Sequence, residues 1–65
     1  MASPLYRTII RVLKDHGCAF VKQGKGDHEI WESPISRRKF TVDTGIKSRH
    51  TANNIMRDAG INHKF

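Results

Sequence analysis

A single cysteine, Cys18, is all the thiol this 65-residue chain has, so no internal disulfide can form and a cysteine-rich zinc site is excluded. The expected compartment is therefore the reducing cytosol. No apolar run approaches membrane-spanning length, and the opening Met-Ala-Ser-Pro-Leu-Tyr-Arg lacks the apolar core of a signal peptide, so a bilayer is not an expected partner. Repeats, linkers and low-complexity segments are missing too, and the chain reads as one domain over residues 1–65. So short a chain has room for one small core and none for the cavity of a large cofactor; no cofactor is expected. The four histidines, His16, His28, His50 and His63, form no pair at helical or finger spacing, and no metal site is expected.

Acidic residues are also scarce. Six Asp and Glu stand against twelve Lys and Arg, for a formal net charge of +6 and a pI near 10.1. That charge density on so small a surface suggests a polyanionic partner, either nucleic acid or an acidic protein. Composition does not choose between them.

Ser3 and Pro4 start a helix, serine as cap and proline pre-set for the first helical position. It should run to about His16, with Leu5, Tyr6, Ile9, Ile10, Val12 and Leu13 on one arc and Arg7, Arg11 and Lys14 opposite. Gly17 ends it as a left-handed cap and lets Cys18 pack back on Leu13, with His16 in the capping turn. Three strands follow, Cys18 to Gln23, His28 to Ser33 and about Arg38 to Asp43, joined by turns at Gly24 to Asp27 and around Pro34. In the third strand Phe40 and Val42 should face the core while Lys39 and Thr41 look outward. In the second, Ile30 is expected inside, which would put His28 at the rim of the helix-covered face, although Trp31 on the other face competes for the core. A second helix, capped by Ser48, should bury Ala52, Ile55, Met56 and Ala59 and close on Gly60, with Ile61 packing back on Met56. The expected architecture is α+β in the order α-β-β-β-α, a three-stranded antiparallel sheet with two helices on one face.

Within this frame Gly24 to Trp31, Gly-Lys-Gly-Asp-His-Glu-Ile-Trp, carries the chemistry. The glycines permit a tight turn and a close approach of backbone to a phosphate. His28 follows where the turn becomes a strand, and imidazole exchanges protons near neutrality, as a general acid or base in phosphodiester cleavage must. A histidine at a strand edge also serves as an ordinary surface or packing residue. Lys22, Lys25, Arg37, Arg38, Lys39, Lys47 and Arg49 cluster around the turns and strand ends as candidate phosphate contacts. His50, beside Arg49 in the first turn of the second helix, joins them as a phosphate-binding candidate and a candidate second proton-transfer group. Asp27 could orient His28 or simply cap the turn, and Trp31 could stack a base or pack.

Three runs, Gly17-Cys18-Ala19-Phe20-Val21-Lys22-Gln23, Gly26-Asp27-His28-Glu29-Ile30-Trp31 and Arg49-His50-Thr51-Ala52-Asn53-Asn54-Ile55-Met56-Arg57-Asp58-Ala59-Gly60-Ile61, resemble the HicA family of bacterial toxins. The resemblance implies a fold like a double-stranded RNA-binding domain and the activity of an mRNA interferase, an endoribonuclease that cleaves mRNA independently of the ribosome. It implies a type II toxin–antitoxin system in which a HicB antitoxin covers the active-site region. It also makes His28, in the Gly-x-His turn, the catalytic residue. The chain departs from the commonest family pattern in having Asp27 where serine is frequent and Asp43 where proline often follows the third strand. Two readings compete with a metal-independent ribonuclease: a non-catalytic RNA-binding module of the same fold, and a domain whose basic face docks an acidic protein. Neither needs an imidazole in that turn.

Overall fold

The computed structural model describes residues 2–65 and has the order α1 (Pro4–Asp15), β1 (Ala19–Gln23), β2 (His28–Glu32), β3 (Lys39–Asp43) and α2 (Arg49–Ala59). The strands form one antiparallel meander in the order β1-β2-β3, and the two helices cover one of its faces. This is the expected α+β architecture, consistent with a double-stranded RNA-binding-domain-like fold.

Each helix begins and ends where its capping chemistry says it should. The Ser3 hydroxyl accepts from the Tyr6 N–H at the start of α1, and the Ser48 hydroxyl accepts from the Thr51 N–H at the start of α2. At the other ends Gly17 and Gly60 take positive φ, 82° and 75°. Cys18 N–H then reaches back to Leu13 C=O and Ile61 N–H to Met56 C=O, the long bond of a Schellman closure. His16 adds a ring nitrogen bonded to Val12 C=O, the C-terminal capping position expected for it.

The core lies between the helices and the back of the sheet. Ile9 and Leu13 of α1 and Ala52, Ile55, Met56 and Ala59 of α2 meet Trp31, Phe40 and Val42, with Cys18, Ile46 and Ile61 closing the ends. Leu5, Tyr6, Ile10 and Val12 are partly buried against it. The β2–β3 turn is fastened to the end of α2, because Ser33 and Ser36 hydroxyls donate to the Ala59 and Asp58 carbonyls, which the helix itself leaves unpaired.

One expectation is overturned. Trp31, not Ile30, is the β2 residue in the core: Trp31 is 3% exposed and stands opposite Phe40 in the register. The indole buries more apolar area than an isoleucine, and its N–H finds an acceptor at Glu29 Oε1, 3.1 Å away. Tyr6 of α1 donates to the same oxygen at 2.6 Å. Glu29 and Trp31 therefore turn toward the helices, and the alternation of the strand sends His28, Ile30 and Glu32 to the uncovered face.

Candidate active site

His28 opens β2 with its backbone held on both sides. Its N–H donates to Lys25 C=O, and its own C=O accepts from Gly24 N–H at 2.8 Å and from the Gln23 side-chain amide at 2.9 Å. The same amide also donates to Gly26 C=O, so Gln23 clips the turn shut around the histidine. The imidazole itself is exposed and makes no hydrogen bond among the described residues. A fixed backbone carrying a free side chain is what a group meant for an external ligand requires.

The cross-strand neighbours of His28 differ on its two sides. On β1 the hydrogen-bonded partner is Gly24, where a Cβ would come within 3.1 Å of His28 O and 3.4 Å of His28 Cβ. Glycine keeps that side open. On β3 the partner is Asp43, whose Oδ1 accepts from Gly45 N–H at 2.9 Å. Lys22 pairs with Ile30, two residues along, which makes it the diagonal neighbour of His28 on the same face. A register shift between Phe20 and Lys22 produces this placement. The extra residue, Val21, bends the edge strand and restores lysine to the open side.

The remaining candidates separate into two groups, all exposed. Lys25 is in the turn beside His28. Lys47, Arg49 and His50 follow the end of β3 that is tied to this turn by the bond from Thr44 N–H to Asp27 C=O. They share an end of the sheet with His28, but α2 belongs to the layer behind it. Arg37, Arg38 and Lys39 lie at the far end of β2, where Lys39 faces Glu32. His28 and Glu32 are four residues apart in an extended strand, roughly 13 Å. A cavity of about 440 Å³ at the far end, lined by Gly17, Ala19, Glu32, Ser33, Pro34 and Arg37, adds a notch next to that second group. Among the described residues no three His, Cys, Asp or Glu side chains are arranged to hold a metal ion.

Two features escaped the reading of the sequence. Asp43, not Asp27, is the cross-strand partner of His28, a pairing set by the register of residues fifteen positions apart. The Tyr6–Glu29–Trp31 cluster behind the site was also missed, since it links α1 to β2 over 23 positions. Burial first, then the hydrogen bond to Glu29 and the charge of Glu29, push the Tyr6 phenol up to about 12. Tyr6 thus remains neutral and keeps donating throughout the physiological range.

A family model described as the HicA toxin of bacterial toxin–antitoxin systems matches residues 6–61, from the first turn of α1 to the residue after the closing glycine of α2. No curated protein matches the chain, and no solved structure does.

Proposed function

Because the chain belongs to the HicA toxin family of bacterial toxin–antitoxin systems, we propose that it is an endoribonuclease that cleaves mRNA without a metal ion, with His28 as general base. The observation that carries this reading is the setting of His28: a clamped backbone, an unpaired imidazole on the uncovered face, and a glycine where a side chain would obstruct it. RNA brings its own nucleophile. An imidazole nitrogen takes the proton of the 2′-hydroxyl, the 2′-oxygen bonds to phosphorus, and the bond to the leaving 5′-oxygen breaks. Solvent at this exposed face protonates the leaving oxygen, and the products end in a cyclic 2′,3′-phosphate and a 5′-hydroxyl. Lys22 on the same face and Lys25 in the turn stabilise the charge that builds on phosphorus. Lys47, Arg49 and His50, with Arg37, Arg38 and Lys39 at the far end, hold the backbone on either side.

A toxin of such a system has a cognate antitoxin. We assign that role to a HicB-type protein seated over the His28 face, with the whole chain acting as one toxin domain in the cytoplasm, where mRNA is found. Among the described residues no helix is long and apolar enough to cross a membrane.

The test is cleavage of a mixed-sequence single-stranded RNA in EDTA by wild type and His28→Ala. Products ending in cyclic phosphate, reduced about 10²- to 10⁴-fold in rate by the substitution, are the expected result. Equal rates would remove His28 from the mechanism. Salt-sensitive binding with no product from folded wild type would favour the RNA-binding module instead.

A further inference from the structure

The groups around His28 point to a second participant. We propose that Asp43 is a positioning residue: the His28 imidazole, unpaired in this structure, turns to dock one nitrogen on the Asp43 carboxylate and aims the other across Gly24. The inference rests on the reading of His28 as general base and says how that base is presented.

The argument begins with the pairing of β2 and β3. Thr44 N–H donates to Asp27 C=O at one end of this pair, and Ser33 N–H donates to Arg38 C=O at the other. The register between them is uninterrupted. Hydrogen-bonded and non-hydrogen-bonded rows alternate in an antiparallel pair, so the row of His28 and Asp43 is a non-hydrogen-bonded one. Such rows bring Cα atoms to about 4.5 Å and side chains closest together. Both residues belong to the uncovered face with no helix above them, so their side chains rise from adjacent backbone positions and a turn of the exposed ring brings the two groups together.

The second part concerns which oxygen is free. Asp43 Oδ1 is occupied by Gly45 N–H, while Oδ2 has no hydrogen-bond partner among the described residues. A neutral imidazole has one N–H and one lone pair. With its N–H on Asp43 Oδ2, the lone pair of the other nitrogen is directed away from β3, toward the space that Gly24 leaves on β1. Lys22 is on that side as the diagonal neighbour. The charged groups around the ring are Asp43 from β3, Lys22 from β1, and Lys25 and Asp27 from the turn. An anion on one flank and a glycine gap beside a lysine on the other give the site a direction: the substrate phosphate enters from the β1 side.

Asp43→Asn separates this role from the structural one. The amide oxygen keeps the bond to Gly45 N–H, and the NH2 group then faces His28 as a donor where an acceptor stood. Three measurements on the full chain decide the matter: kcat and KM on RNA, the melting temperature, and the tautomer of His28 from long-range proton–nitrogen NMR correlations. The expected result is a fall in kcat on the order of tenfold, with KM equal or lower because a negative charge has left the binding face. The melting temperature should hold, and His28 should change from one dominant tautomer to the other or to a mixture. Asp43→Ala should match this loss of kcat and melt lower as well, since it removes the cap. Wild-type kcat and tautomer in Asp43→Asn, with His28→Ala inactive, would overturn the proposal and leave the ribonuclease reading standing. Activity that follows the melting temperature across both variants, with the tautomer unmoved, would also overturn it. If His28→Ala cleaves as wild type does, the ribonuclease mechanism falls, and the tautomer measurement still reports whether Asp43 orients the ring.

Discussion

The two faces of β2 each carry a large apolar residue and a carboxylate, yet they are treated in opposite ways. Behind the sheet Trp31 is sealed into the core and Glu29 accepts from both Tyr6 and Trp31 through a single oxygen. In front, Ile30 is only half-buried, and His28 and Glu32 are exposed. No helix covers them. The back face spends its polar groups on one another, as burial demands. The front face leaves its polar groups exposed. A domain this small places the groups that hold it together on one side of a single five-residue strand and its free polar groups on the other.

That separation is broken most severely at Trp31. Trp31→Ala should cost about 3–5 kcal/mol, comparable to the whole stability of so small a domain, and urea titration followed by circular dichroism would show a largely unfolded chain. Glu29→Ala comes next. It leaves the Tyr6 hydroxyl and the indole N–H without their acceptor, and should lower the unfolding free energy by about 1–3 kcal/mol while cleavage under folded conditions persists. A subtler test is alkaline. The Tyr6 phenol titrates near 12 in the folded protein against about 10 when unfolded, so its contribution is complete below pH 10 and is lost as pH rises toward 12. Tyr6→Phe should flatten that part of the stability–pH curve. The smallest effect belongs to the front face: Ile30→Thr should change stability by about 0.5 kcal/mol or less. A loss of several kcal/mol there would mean that the front face is structural after all.

Most of the frame was legible because its signals are local. Ser3-Pro4, Ser48, Gly17 and Gly60 each fix an element end within a few residues, and the stripe Ala52, Ile55, Met56, Ala59 is buried in full. The orientation of β2 was not legible in the same way. His-Glu-Ile-Trp-Glu puts one apolar residue on each face, and alternation alone cannot rank them. What decided it was distant: Phe40 opposite Trp31, and Tyr6 reaching Glu29 from another element. The site shows the same division. His28 and its glycines stand together in the sequence, whereas Asp43 becomes its neighbour only through strand register. Lys22 and the far trio of Arg37, Arg38 and Lys39 look equivalent as a run of charge, yet only Lys22 adjoins His28 on the uncovered face.

The cap of α1 has a consequence in time. Ser3 N–H donates to Thr44 C=O, and the Ser3 hydroxyl donates to Ile46 C=O, 43 positions away. The first helical turn is therefore completed by a segment made much later, just before α2. Local helix contacts form early and cheaply, but a closure of this length must wait for its partner. Without that segment α1 is a 12-residue helix and β1–β2 a two-stranded hairpin, each marginal on its own in water. The cap of α1 is thus complete only once the last third of the chain is present, the same segment that sets Asp43 beside His28.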